Sequence, residues 1–79
     1  MERTTVPIRI LRLQFMLRMT GLSKSGAYAK LTKNPRRPEL YDETFPRPLR
    51  LSARSVGWIE SEIVIWLETQ AKRRDSVSK

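Results

Sequence analysis

Neither cysteine nor histidine occurs anywhere in this sequence, and the double absence removes several kinds of chemistry at once. Without thiols there is no disulfide framework, and without thiols or imidazoles a zinc site loses its usual ligands. Nucleophilic and general-base catalysis lose their commonest residues as well, so no catalytic residue, no metal and no cofactor is expected. Acid is also in short supply: eight Asp and Glu face sixteen Lys and Arg, for a formal net charge of +8. An excess of that size points to a polyanionic partner, whether DNA, RNA or an anionic membrane surface. No apolar run approaches the roughly 20 residues that a membrane span needs. Arg9, Arg12 and Arg18 cut through the N-terminal apolar residues, which argues against a signal peptide. A cytoplasmic protein with no membrane partner is the expectation. At 79 residues there is room for one domain with one modest core.

What is there is organised around residues 13–32. Leu13, Met16, Leu17 and Thr20 recur at i, i+3, i+4 and i+7, which places them on one face of a helix over about Gln14 to Met19. Phe15 and Met19 fall beside that face, so this helix is expected to bury more than one side. Gly21 supplies the positive φ that helix C-termini commonly adopt. Ser23 is a good N-cap for a second helix, because its hydroxyl accepts a backbone N–H from the first turn. Ala27 and Leu31 face inward from that second helix, while Lys24, Ser25, Gly26 and Tyr28 lie at its exposed start. Two short helices around a Gly-containing turn make a helix-turn-helix candidate. The same pattern also occurs in small helical domains with no nucleic-acid role. Composition separates the two readings: from Arg3 to Arg37 every charged residue is basic, whereas a merely soluble surface mixes both signs.

The rest of the chain divides around that unit. Residues 1–9 are expected as a flexible lead, residues 10–74 as the domain, and residues 75–79 as a frayed tail. Ile8 to Leu13 reads as a short extended arm delivering Leu11 and Leu13 into the core. Residues 32–48 carry all but one of the five prolines, and proline both removes a backbone donor and disfavours helix before it. This long loop is expected to be anchored by Leu40 and Tyr41, with Arg36 and Arg37 at its tip within reach of phosphate. Leu49-Arg50-Leu51 and Val56-Gly57-Trp58 alternate around a polar turn and read as a hairpin, with Arg47, Arg50 and Arg54 spreading charge along it. Trp58 is a packing anchor on this reading.

Glu60 to Arg74 begins acidic and ends basic, as a helix macrodipole favours at both ends. Ile59, Ile63, Trp66 and Leu67 form its apolar stripe. Val64 and Ile65 lie about 100° and 200° round from Ile63, so at least one is expected outside the core. The Val64 side is therefore expected to meet a second copy or a protein partner. The acidic outer face suits DNA poorly, and its carboxylates read as solvated charge rather than acid–base machinery.

The predicted fold is mainly α with a small β-hairpin, in the order extended arm, α, α, long loop, β, β, α, as in a small winged helix-turn-helix. Four pieces in that order, Ile10-Leu11-Arg12-Leu13, Thr20 to Ser25 with Tyr28, Phe45 to Leu51, and Val56-Gly57-Trp58 with Glu60-Ser61-Glu62-Ile63 and Trp66-Leu67, resemble the AlpA family. These are small phage- and prophage-associated transcriptional regulators related to excisionases and to the DNA-binding domain of MerR-type regulators. The likeness covers residues 10 to about 70. It implies a regulator of double-stranded DNA whose second helix enters the major groove while the hairpin reaches the adjacent backbone or minor groove. Carried over by position, Lys24, Ser25, Gly26, Tyr28 and Lys30 contact DNA from the helix, and Arg50, Arg54 and Ser55 from the hairpin. Two departures stand out: the Pro-rich loop over residues 34–44 is longer than the family's usual connection, and Gly26 and Ala27 are smaller than the residues often found there. An excisionase-like protein that bends DNA shares all these residues. A small RNA-binding protein needs an aromatic platform for unstacked bases, and most aromatics here sit at core-like positions.

Overall fold

The computed structural model describes residues 8–77, with the side chains of 75–77 left aside. The expected flexible lead thus falls largely outside the described residues. Within it Arg9 is tied down: its carbonyl accepts the Glu60 N–H at 2.8 Å, and its guanidinium lies 3.5 Å from the Glu60 carboxylate.

The arm that follows is a strand. Residues Ile10–Leu11 (β1) pair antiparallel with Val56–Ile59 (β3), Ile10 opposite Ile59 and Leu11 opposite Trp58. On the other side of β3 runs Leu49–Arg50 (β2), also antiparallel, with Leu49 opposite Gly57 and Arg50 opposite Val56. The expected hairpin is therefore present but belongs to a three-stranded sheet of order β1-β3-β2. Gly57 sits at its centre, where a Cβ would collide with the Ile10 side chain and lie 3.3 Å from the Leu11 carbonyl oxygen. Only a residue without a side chain lets β1 close onto β3 there.

Residues Leu13–Thr20 form helix α1 and Lys24–Leu31 form α2. Met16 is fully buried, and Leu13, Leu17 and Met19 pack half-buried against the core. Phe15 is not part of it: the side chain is 58% exposed, so α1 buries one side rather than two. Gly21 closes α1 at φ 75° and donates its N–H to the Leu17 carbonyl at 2.8 Å. The Thr20 hydroxyl donates to the Met16 carbonyl at 2.9 Å, and its oxygen accepts the Leu22 N–H at 3.3 Å. Ser23 caps α2 as expected, its Oγ accepting the Gly26 N–H at 3.0 Å.

The last helix, α3, runs Glu60–Val77, beyond the Arg74 end expected from charge alone. Residues 75–77 contain neither Gly nor Pro, so nothing in the covalent chain stops the helix there. Ile63 and Trp66 face the core, Leu67 lines its edge, and Ile59 ends β3 instead of opening the helix. Val64 is 36% exposed and Ile65 60%, as 3.6 residues per turn requires once Ile63 points inward.

The long loop contains a 3-10 turn at Pro38–Leu40, and the residue that anchors it in the core differs from those expected. Leu40 is exposed and Tyr41 only half-buried, while Phe45 is buried to 1% exposure and meets Trp66 edge-on at 5.0 Å between ring centroids. Both indole N–H groups donate into this loop, Trp58 to the Pro46 carbonyl and Trp66 to the Asp42 carboxylate, each at 3.2 Å. Buried tryptophan needs such a partner, and the loop supplies both. The core is thus Leu11, Met16, Ala27, Phe45, Trp58, Ile63 and Trp66, drawn from every element except β2 and the 3-10 turn.

Candidate nucleic-acid interface

The start of α2 presents Lys24 and Ser25 at its first two positions, both exposed. Tyr28 follows one turn on from Lys24 on the same face and is 38% exposed. All three are exposed while Ala27 is fully packed, and Ser25, about 160° round from Ala27, faces most directly outward. Gly26 is half-buried and spends its N–H on the Ser23 cap. No acid occurs in the first turn of α2, and Lys24 stands at the positive end of its dipole. That placement costs helix stability in isolation and is relieved by a nearby anion, for which free helix N–H groups are natural donors.

Lys30, also expected at the interface, lines a shallow cleft with Ser25 and Gly26 and reaches back toward the core. It is half-buried, with its ammonium 5.6 Å from the Trp66 ring centroid, on the side that Ala27 shares at i, i+3 spacing. Arg47 is likewise engaged: it donates to the Tyr41 hydroxyl at 2.5 Å and to the Leu31 carbonyl at 3.5 Å. Together with Lys33, whose ammonium lies 5.4 Å from the Tyr41 ring centroid, it clasps that ring and fastens the loop to the end of α2. Lys33 was not among the residues singled out from sequence, since a lone lysine after a helix carries no signal of its own.

The hairpin turn is ordered by its own polar groups. The Leu51 N–H donates to the Ser55 carbonyl at 2.8 Å, and the Ser52 and Ser55 hydroxyls meet at 2.7 Å. Arg50 donates to the Ala53 carbonyl at 3.3 Å, and the Arg54 N–H to the Ser52 hydroxyl at 3.4 Å. Both guanidiniums are exposed, whereas Ser55 is half-buried. Arg54 thereby sits exposed in an internally hydrogen-bonded turn.

In the loop, the Arg36 N–H donates to the Asn34 side-chain oxygen at 2.9 Å, and Arg37 pairs with Glu39 at 2.9 Å. The Arg37 hydrogen bond holds the Glu39 carboxyl below its ordinary value. Shallow clefts lined by Ser25, Ala29 and Leu40 place the 3-10 turn alongside α2. The structure therefore brings Glu39 and Leu40 beside the start of α2, with Arg37 attached through its pairing with Glu39, a proximity that periodicity has no means of revealing. Asp42 makes the junction: its N–H donates to the Lys30 carbonyl at 3.0 Å, and its side chain accepts from Thr44 and Trp66. Partial burial pushes the Asp42 carboxyl up, but the Thr44 and Trp66 hydrogen bonds and the Lys30 charge outweigh it and hold the group below its ordinary value.

Among the described residues no group of three or more Asp or Glu is placed to hold a metal ion, and no helix is long and apolar enough to cross a membrane. The model of the family described as prophage CP4-57 regulatory protein (AlpA) matches residues 9–71. A curated protein of Escherichia coli (strain K12), DNA-binding transcriptional activator AlpA, is 45% identical over 65 residues, covering 82% of this chain and 89% of that protein. No solved structure matches the chain.

Proposed function

The chain belongs to the AlpA family of prophage regulatory proteins, and from that membership we infer that it is a DNA-binding transcriptional regulator of AlpA type. The observation that carries the reading is the match over residues 9–71, which spans every element from β1 to most of α3. The finer assignment rests on the geometry of α1 and α2. Helix α2 is the recognition helix and lies in the major groove, with Lys24, Ser25 and Tyr28 toward base edges and phosphate. The hairpin acts as the wing, its Arg50 and Arg54 on the adjacent backbone or minor groove. Arg36 and Arg37 approach a flanking phosphate from the loop beside α2. Lys30 and Arg47 support this surface from behind, one over Trp66 and the other on Tyr41.

Affinity for duplex DNA tests the reading directly. With about four to six phosphate contacts, log affinity against log salt should slope at about −4 to −5. A slope near zero removes DNA as the partner. Selection of bound sequences from random duplex DNA then defines the site. On that site Lys24→Ala should lose discrimination as well as affinity, by about 1–3 kcal/mol if the lysine meets a guanine edge, whereas Arg54→Ala should weaken all DNA alike. Equal losses on specific and unrelated DNA for both variants would displace α2 from the groove.

A further inference from the structure

Two surfaces of this molecule lie outside the DNA-facing set, and they are opposite in both shape and charge. One is a cleft of about 610 Å3 between α3 and the Phe45 to Leu49 segment. Phe45 and Trp66 form its floor, Pro46, Pro48 and Leu49 one wall, and Ile65 the other. Ile65 and Leu49 are 60% and 43% exposed, a poor resting place for apolar side chains this close together. Glu43 and Glu62 also line the cleft, both exposed, and the one base lining it, Arg47, is committed to Tyr41 and the Leu31 carbonyl.

The other surface is the outer face of α1. Phe15 projects there with its side chain 58% exposed, flanked at i−3 and i+3 by the exposed Arg12 and Arg18. The Arg18 guanidinium stands 5.3 Å from the Phe15 ring centroid, and α1 contains no acid. This face is an aromatic knob between two positive charges. The cleft has an apolar floor and two carboxylates against one guanidinium on its lining, with a volume ample for a phenyl ring. No residue of α1 lines the cleft, so every copy of the chain exposes both halves at separate places.

We propose that the cleft of one copy receives Phe15 of a second copy, with Arg12 and Arg18 of the incoming helix set against Glu43 and Glu62. The contact is head-to-tail: each copy uses its knob on one neighbour and its cleft on the other, so pairs extend rather than close. A single ring and its flanking charges make a small interface, and the association is weak, salt-sensitive and dependent on protein concentration. The contact needs no DNA, so it stands or falls apart from the regulatory reading.

Sedimentation velocity of the full chain without DNA, over a concentration series at low salt, tests it. The wild-type sedimentation coefficient should rise with concentration and fall back when salt is added. Phe15→Ser removes the knob, and Ile65→Lys places a like charge before Arg12 and Arg18; each should weaken association about tenfold or more, as loss of a central anchor does. Both positions are exposed, so both variants should melt as wild type does; Ile65→Ser serves in place of the lysine if that variant melts early. The deciding sample is an equal mixture of the two variants. The Phe15→Ser copy keeps an intact cleft and the Ile65→Lys copy an intact knob, so the mixture should form a one-to-one complex with wild-type affinity. A wild type that stays monomeric throughout, a Phe15→Ser variant that associates normally, or a mixture that fails to pair would each overturn the proposal. The second of these outcomes would favour a symmetric contact of α3 with α3 around Val64.

Discussion

The α1–α2 pair and the segment over residues 32–48 are similar in length, yet the bonds that hold them differ in reach. Within α1, the turn and α2, the shaping contacts span two to four residues: Thr20 to Met16, Leu22 to Thr20, Gly26 to Ser23. The loop instead hangs on partners 12 and 24 residues away, Trp58 to Pro46 and Trp66 to Asp42. Local bonds are formed as soon as the helix turns, at little cost in loop closure, whereas the distant ones exist only once the core has assembled. The difference bears on function, because the two regions meet: Asp42 joins the loop to the end of α2, and the 3-10 turn runs beside Ser25 and Ala29. On the proposed reading of α2 as recognition helix, local bonds would shape the reading surface and the distant ones would brace it.

Removing the distant anchor should have the largest effect. Trp66→Ala empties a core position, strips Phe45 of its edge-on partner and leaves Asp42 without its indole donor. Truncation of a buried aromatic costs about 3–5 kcal/mol, comparable to the whole stability of a domain this small. Thermal denaturation by circular dichroism should show the variant largely unfolded at room temperature. Trp66→Phe should restore the fold while still lacking the N–H, and hydrogen exchange should then show faster opening at Asp42 and Phe45 than at the amides of α2. Equal acceleration in both regions would mean that they open as one unit and that the contrast drawn between them is too sharp.

The same contrast explains which parts of the molecule were legible in the sequence. Gly21 and Ser23 announced the turn because a positive φ and an N-cap are properties of single residues. The orientation of α3 followed from its terminal charges and from the spacing of Ile63, Trp66 and Leu67. The pairing of β1 with β3 is not visible there, since two residues carry no alternation and their partners lie 49 and 47 positions away. Phe45 and Asp42 were passed over in favour of Leu40 and Tyr41 because nothing local distinguishes an anchor from its neighbours in an irregular segment. Periodicity sets Phe15 beside the apolar face of α1 but carries no information on whether a partner awaits it there. Lys30 enters the interface set only by its position in the family resemblance, which carries no sign that its ammonium stands 5.6 Å from the Trp66 ring centroid.

Ser23→Ala probes the local side of the comparison with a smaller effect. Loss of the cap removes one hydrogen bond to the Gly26 N–H and should cost about 1 kcal/mol. Chemical denaturation should register that loss with an unchanged slope. Because the frayed turn carries Lys24 and Ser25, affinity for the selected DNA site should fall further than stability does, while the near-ultraviolet signal of Trp58 and Trp66 stays native. An altered tryptophan signal would show that the helix start and the loop anchors are not independent.

The smallest expected effect is one of pH, and it falls on the junction between the two regions. The Asp42 carboxyl is held below its ordinary value near 3.8 because hydrogen bonds from Thr44 and Trp66, with the charge of Lys30, outweigh the cost of partial burial. A carboxyl depressed on folding stabilises the protein above its unfolded value and loses that contribution as pH falls through the folded one. Stability from this group should thus be complete at pH 5 and above, and decline progressively below about pH 4. Glu39, held down by Arg37, titrates in the same direction, but as a fully exposed group it adds little. Urea denaturation of wild type and Asp42→Asn isolates the junction from the other carboxylates. The variant should be less stable at pH 6, where the charge is missing, and the gap should narrow toward pH 3, where wild type has lost it too. Protonation there should loosen the loop before the helices, so exchange at the Asp42 and Phe45 amides should quicken while that at Ala27 holds. A constant gap between the two proteins from pH 6 to pH 3 would assign Asp42 to shape alone and leave the bracing of α2 to Arg47 and Tyr41.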